Sequence, residues 1–96
     1  GMVIHAADEE SFKAALGSVK EGGLILLEAD IGLVHVGTHP DSTVDTYIAV
    51  PDVTIDLQNH TITVTNNGDY CVFGLAADGI TLKNGTITLA ELLPLH

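Results

Sequence analysis

The sequence predicts an all-β fold: a parallel β-helix, a single-stranded solenoid of about three coils, with a short α-helical cap at its N-terminal end. Three observations carry this. Hydrophobic residues fill 46% of the 96 positions, but aromatics only 4%, and Trp is absent, so the core has to be aliphatic. Three segments, LILLEADIGL (24–33), IDLQNHTITV (55–64) and ITLKNGTITL (80–89), align without gaps and are aliphatic at their first, third, eighth and tenth positions. The middle of each is polar or small (Glu28-Ala29, Asn59-His60, Asn84-Gly85), as a turn between two short strands requires. Self-similarity at this spacing marks a solenoid, in which no repeat buries its apolar side alone and stacking supplies a shared core.

Each element follows from its residues. Gly1 ahead of Met2 reads as a remnant of tag cleavage, with Met2 as the native start. The opening GMVIHAADEE lacks a basic stretch followed by an apolar one, so no secretory signal is expected, which would place the chain in the cytoplasm or a virion. Residues 8–22 predict the capping helix: Asp8 as N-cap, acids in the first turn, and Phe12, Ala15, Leu16 and Val19 along one face. Gly22-Gly23 provides its stop. From Leu24 to Leu89 the period becomes alternating, which gives the coils. The ungapped alignment turns Leu24, Leu26, Ile31 and Leu33 inward, then Ile55, Leu57, Ile62 and Val64, then Ile80, Leu82, Ile87 and Leu89. A third strand column places Ile48 and Val50 opposite Phe73 and Leu75. Residues 90–96 form a C-terminal cap or tail, in which Leu92, Leu93 and Leu95 are available to cover the core and Pro94 prevents further strand pairing.

VPDVTIDLQNHTITV followed by ADGITLKNGTITL resembles the opening coils of right-handed parallel β-helix proteins of the pectate-lyase-like superfamily. FKAAL and GGLILLEADI are similar to the capping helix and first strand of such proteins. The resemblance implies a right-handed solenoid. It also implies a function drawn from a wide range: pectin-degrading lyases and hydrolases, phage tail spikes and surface adhesins. Asn59 and Asn84 match the turn position where the family stacks asparagines in a ladder, and Glu28 departs from it.

Charge excludes whole classes of partner. Thirteen acidic residues face three lysines (Lys13, Lys20, Lys83) and no arginine, a formal charge of -10. Nucleic acid is therefore not expected as a partner, nor is an anionic membrane surface, and no stretch is long and apolar enough for membrane insertion. The lone Cys71 allows no internal disulfide and reads as a small buried hydrophobe.

No catalytic residue is assigned. Lyases of the resembling family pair a basic residue with acidic Ca²⁺ ligands on later coils, whereas Lys83 is the only cation beyond the helix in this chain. Asp52, Asp56 and Asp78 fall near one strand column and read either as a surface group or as separate solvated positions. Carbohydrate contact would fall to Tyr47 and Tyr70 as stacking rings, with Asp56 and Lys83 as polar partners. Residues 34–45 bring His35, His39 and Asp41, with Asp45, into one loop as candidate metal ligands, although Gly37 and Pro40 disfavour the helix a His-x3-His pair needs. No cofactor is expected, with Ca²⁺ as the one candidate ion. His5, His60 and His96 stand isolated in the sequence.

Thr61, Thr63, Thr86 and Thr88 alternate with inward isoleucines and form an outward grid two coils deep. Arrays of this kind bind ice in some β-solenoids, but threonine also suits any exposed strand face. The expected function is a non-catalytic β-helical structural or carbohydrate-binding module, of a phage particle or bacterial surface. The alternative is a carbohydrate-active enzyme, a polysaccharide lyase or glycoside hydrolase, or a fragment of one. Self-association through a solenoid end or flank is expected, because a terminal coil presents unpaired strand edges.

Overall fold

The computed structural model describes residues 1–34, 46–66 and 73–91 (backbone alone at Asn66 and Glu91). It is mostly strand, with one short helix and every strand pairing parallel. In chain order the elements are β1 (Val3–Ala6), α1 (Glu9–Ser18), β2 (Leu24–Leu27), β3 (Ile31–Val34), β4 (Tyr47–Ile48), β5 (Thr54–Asp56), β6 (Thr61–Asn66), β7 (Gly74–Leu75), β8 (Thr81–Lys83) and β9 (Thr86–Glu91). They form three sheets, ordered β1-β2-β5-β8, β3-β6-β9 and β4-β7. Consecutive strands from β2 onward pass from the first sheet to the second, the second to the third, and back to the first. The inner faces of all three sheets meet in one aliphatic cluster that includes Ile25 and Ile55, Ile31 and Ile62, and Ile48, with Phe12 and Leu16 of α1.

The helix begins as its sequence requires. Asp8 is the N-cap: the Ser11 amide donates to its carboxylate at 2.8 Å, and the Asp8 amide donates to the Ser11 hydroxyl at 3.1 Å, a closed capping box. Phe12, Ala15 and Leu16 are buried, as is Val19 just beyond. The helix stops at Ser18, short of the expected residue 22, because Val19 already adopts extended backbone. Ahead of the helix lies β1, a strand not foreseen from VIHA, whose pairing partner β2 is a score of residues away in sequence.

The second sheet repeats as the sequence alignment predicts: Ile31, Ile62 and Ile87 are in register, as are Leu33, Val64 and Leu89. The first sheet departs from that alignment. Ile25, Ile55 and Leu82 form one column, so Ile25 and Leu27 point inward, while Leu24 and Leu26 lie half-buried on the outer face opposite Thr54 and Asp56. The third sheet also differs, with Ile48 opposite Leu75 rather than Phe73. In the first sheet the cause is turn length: the chain takes six steps from Ile25 to Ile31, seven from Ile55 to Ile62 and five from Leu82 to Ile87. LILL is apolar at every position, so alternation alone does not fix its face, and a one-residue slip reverses it.

The corner leading into the first sheet uses one backbone conformation three times. Gly22, Asp52 and Gly79 all have positive φ, at 75°, 61° and 75°. A Cβ at Gly79 would lie 2.2 Å from Asp52 Oδ1, so a side chain there would displace that carboxylate as well as strain the positive φ.

Candidate functional site

Away from the helix, a set of partnered polar side chains gathers at the turn between the first and second sheets. Each bridges from one strand layer to the next. Glu28, just after β2, pairs with Nδ1 of His5 in β1. That contact is the main cause holding the Glu28 carboxyl below its ordinary value. Asp30 accepts the Thr61 amide at 2.9 Å, and His60 Nδ1 lies 3.3 Å from the same oxygen. The backbone donor leads in lowering the Asp30 carboxyl, followed among favourable contacts by His60. Gln58 donates from its side chain to the Leu27 carbonyl at 3.0 Å, clipping the second layer to the first.

Asp56 closes the same turn from within its own layer, accepting the Gln58 amide at 2.9 Å, and takes a further bond from Asn84 Nδ2 at 3.2 Å. These contacts, led by the Gln58 amide, lower its carboxyl, and the nearby Lys83 adds to the effect. Asn59 and Asn84 both have positive φ, at 64° and 60°, as their turn positions suggest. Their link is the Asn59 amide donating to the Asn84 carbonyl, while the Asn84 side chain goes to Asp56. A side-chain asparagine ladder between these two residues is thus replaced by a mixed Asp–Asn bridge.

Of the residues proposed for carbohydrate contact, Asp56 and Lys83 are brought together as register partners on the outer face of the first sheet. Tyr47 lies on β4 in the third sheet, 41% exposed, so it belongs to a different face. Its ring covers Gly74, the register partner on β7, where a Cβ would come within 2.7 Å of Tyr47 Cδ2. One side of the ring is therefore occupied by backbone, and the tyrosine fills the gap left by a strand glycine. Phe73 packs edge-on against Phe12, centroids 6.3 Å apart. Tyr70, and the candidate metal ligands His35, His39 and Asp41 with Asp45, lie outside the described residues, as do Cys71 and His96.

The three aspartates do not form one group. The Asp52 amide donates to the Asp78 carbonyl at 3.0 Å, placing those two side by side at the corner before the first sheet, whereas Asp56 stands at the far end of β5. The threonine grid is in place, with Thr61 opposite Thr86 and Thr63 opposite Thr88, flanked by Gly32 on one side of Thr63 and ending at Ala90 opposite Thr65. His5 and His60, which stand isolated in the sequence, each meet an acid from a neighbouring layer, 23 and 30 residues away. Nothing in local sequence signals these pairs, because the stacking of layers creates them.

Among the described residues no group of three or more His, Cys, Asp or Glu side chains is arranged to hold a metal ion, and no helix is long and apolar enough to cross a membrane. Comparison with protein families, with curated proteins and with solved structures finds no match for the chain.

Proposed function

We propose that the chain is a non-catalytic β-helical module whose role is structural, with one flank suited to carbohydrate. The observation that carries this reading is the stacking pattern: parallel strands handed from sheet to sheet around one aliphatic core, with turn polar groups spent on bonds between layers. A right-handed solenoid of the pectate-lyase-like kind accounts for that pattern, since parallel crossovers almost always take this hand. In such a scaffold Glu28, Asp30 and Asp56 act as rivets. Their hydrogen bonds hold each carboxyl in its charged form, the opposite of what a general acid needs. Methyl-methyl NOEs among Ile25, Ile62 and Ile48 test the solenoid directly, and their absence would overturn it.

The flank offered to a glycan is the outer face of the first sheet, where Asp56 and Lys83 sit side by side and Thr54 pairs with Thr81. These hydroxyl, carboxylate and ammonium groups are suited to sugar hydroxyls, with Lys83 supplying a point of attraction for an acidic sugar. A glycan array separates the outcomes. Binding that Lys83→Ala abolishes supports a recognition module, and binding to nothing leaves a purely structural role. Turnover of a bound polysaccharide above a heat-killed control would instead establish the alternative, a carbohydrate-active enzyme or part of one, and overturn the non-catalytic reading.

A further inference from the structure

Two stacked turns carry an asparagine in the same backbone conformation, but the residue that follows it differs. Asn59 and Asn84 have φ of 64° and 60°, a left-handed conformation that asparagine tolerates better than most side chains. Asn59 is followed by His60, whose amide is engaged: it donates to the Leu57 carbonyl at 2.8 Å. Asn84 is followed by Gly85, and among the described residues the Gly85 amide donates to no acceptor. Packing demands this glycine, because a Cβ there would run into Leu57 and the backbone of His60 in the turn beneath. The fold therefore selects a chemically labile pair. Asparagine is among the thermolabile residues, and a neighbour without a Cβ leaves the path from its amide nitrogen to the asparagine Cγ unobstructed. Lys83, Asn84, Gly85 and Thr86 are all exposed, so hydroxide and water reach the turn.

We propose that Asn84 is a site of spontaneous modification, converting to aspartate and isoaspartate through a succinimide formed with Gly85. Solvent hydroxide removes the Gly85 amide proton, and the nitrogen attacks Asn84 Cγ. A C–N bond forms, and the side-chain nitrogen takes a proton from water and leaves as ammonia. Water then opens the ring. Breaking the bond between the nitrogen and Cγ gives aspartate. Breaking the bond to the former main-chain carbonyl gives isoaspartate, in which the chain runs through the side-chain carbon. Nothing is oxidised or reduced, and only water and ammonia are exchanged with solvent.

The change falls on a contact that fastens one layer to the next. Asn84 Nδ2 donates to Asp56 Oδ1 at 3.2 Å, and the Asn84 carbonyl accepts the Asn59 amide. Either product removes the side-chain donor and adds a carboxylate to a turn that already holds the Asp56 carboxylate, where like charges repel. Isoaspartate also lengthens the main chain just where Gly85 lies against Leu57 and His60. Modification thus unfastens β8 and β9 from β5 and β6, irreversibly and with time. The proposal stands on the geometry of this turn and is independent of whether Asp56 and Lys83 contact a glycan.

Ageing the folded chain in warm, mildly alkaline buffer tests it. Peptide mapping by tandem mass spectrometry places each product at its residue, and enzymatic methylation of the intact chain reports isoaspartate. The expected result is ammonia release and both products at residue 84, at a rate rising in proportion to hydroxide, with Asn59 unchanged. Asn84→Asp should lower the urea midpoint of the fresh chain, because it breaks the bridge to Asp56 without ageing. Residue 84 intact after prolonged ageing would overturn the proposal. So would conversion at Asn59 as fast as at Asn84, conversion of Asn84 in urea but not in the folded chain, or an Asn84→Asp chain as stable as wild type. The sequence holds a second Asn-Gly pair, Asn67-Gly68, and conversion there with Asn84 intact would also overturn it.

Discussion

Ile55 and Leu82 are register partners on adjacent strands, both aliphatic and both on the inner side of the first sheet, yet one is 1% exposed and the other 43%. The same contrast recurs in the other two sheets. What differs is the next layer: Ile55 has strands on both sides, and among the described residues Leu82 has one on one side only. In a stacked fold, a side chain's burial is set by its neighbours along the stack as much as by its own strand. Among the described residues, a core that looks uniform in sequence is therefore energetically graded from the helix-covered end to the β7, β8 and β9 end.

The contrast is most directly broken by truncating both partners and following urea unfolding. Ile55→Ala removes a fully packed side chain and should cost about 2–5 kcal/mol. Leu82→Ala should cost about 1 kcal/mol or less, because much of that side chain is already in water. Equal losses would mean that the last layer is as well packed as the middle one.

Gly85→Ala sharpens the comparison from the turn side. A Cβ at Gly85 would lie 2.4 Å from Leu57 Cβ and 2.6 Å from the His60 carbonyl oxygen, so the short last turn lies directly on the turn beneath it. Crowding there should cost about 1–3 kcal/mol and loosen the last layer. Amide exchange should quicken in β8 and β9 well before it does in β2 and β3. At the covered end, Asp8→Ala removes the helix cap and should cost about 1 kcal/mol, read from the same unfolding curves.

The smallest effect is on pH. Asp8, Glu28, Asp30 and Asp56 all have carboxyls lowered by folding, through Ser11, His5, the Thr61 amide and the Gln58 amide respectively. A carboxyl lowered on folding stabilises the native state above its unfolded value and loses that contribution as pH falls through its folded value. Stability should therefore decline on acidification below about pH 4. All four groups are solvent-exposed, so Asp30→Asn should flatten this acid branch only slightly, as seen in unfolding midpoints measured across that range.

Legibility from the sequence followed the same gradient of constraint. The second sheet was readable because Ile62-Thr63-Val64 and Ile87-Thr88-Leu89 alternate cleanly, and alternation assigns the faces. LILL could not be read this way, and only its pairing with Ile55 turns Ile25 inward. The N-cap at Asp8 was legible because its partner is three residues away, whereas β1 and the His5–Glu28 contact depend on residues brought together by stacking. Tyr47 looked like a free aromatic until Gly74 was placed beneath it. Asp56 and Lys83 are sequence candidates for one carbohydrate site, and the register makes them neighbours.

The left-handed residues at Gly22, Asp52 and Gly79 fall where one layer gives way to the next, always just before the first sheet. Such a joint is a natural place to lengthen the molecule. A tandem copy of residues 52–78, inserted ahead of Gly79, would begin and end at the same backbone conformation. It would also meet in Gly79 the residue that already accommodates Asp52. Growth by duplication would add one internal storey and leave both the helical lid and the β7, β8 and β9 end unchanged, so the height of the stack and the character of its ends are separable properties.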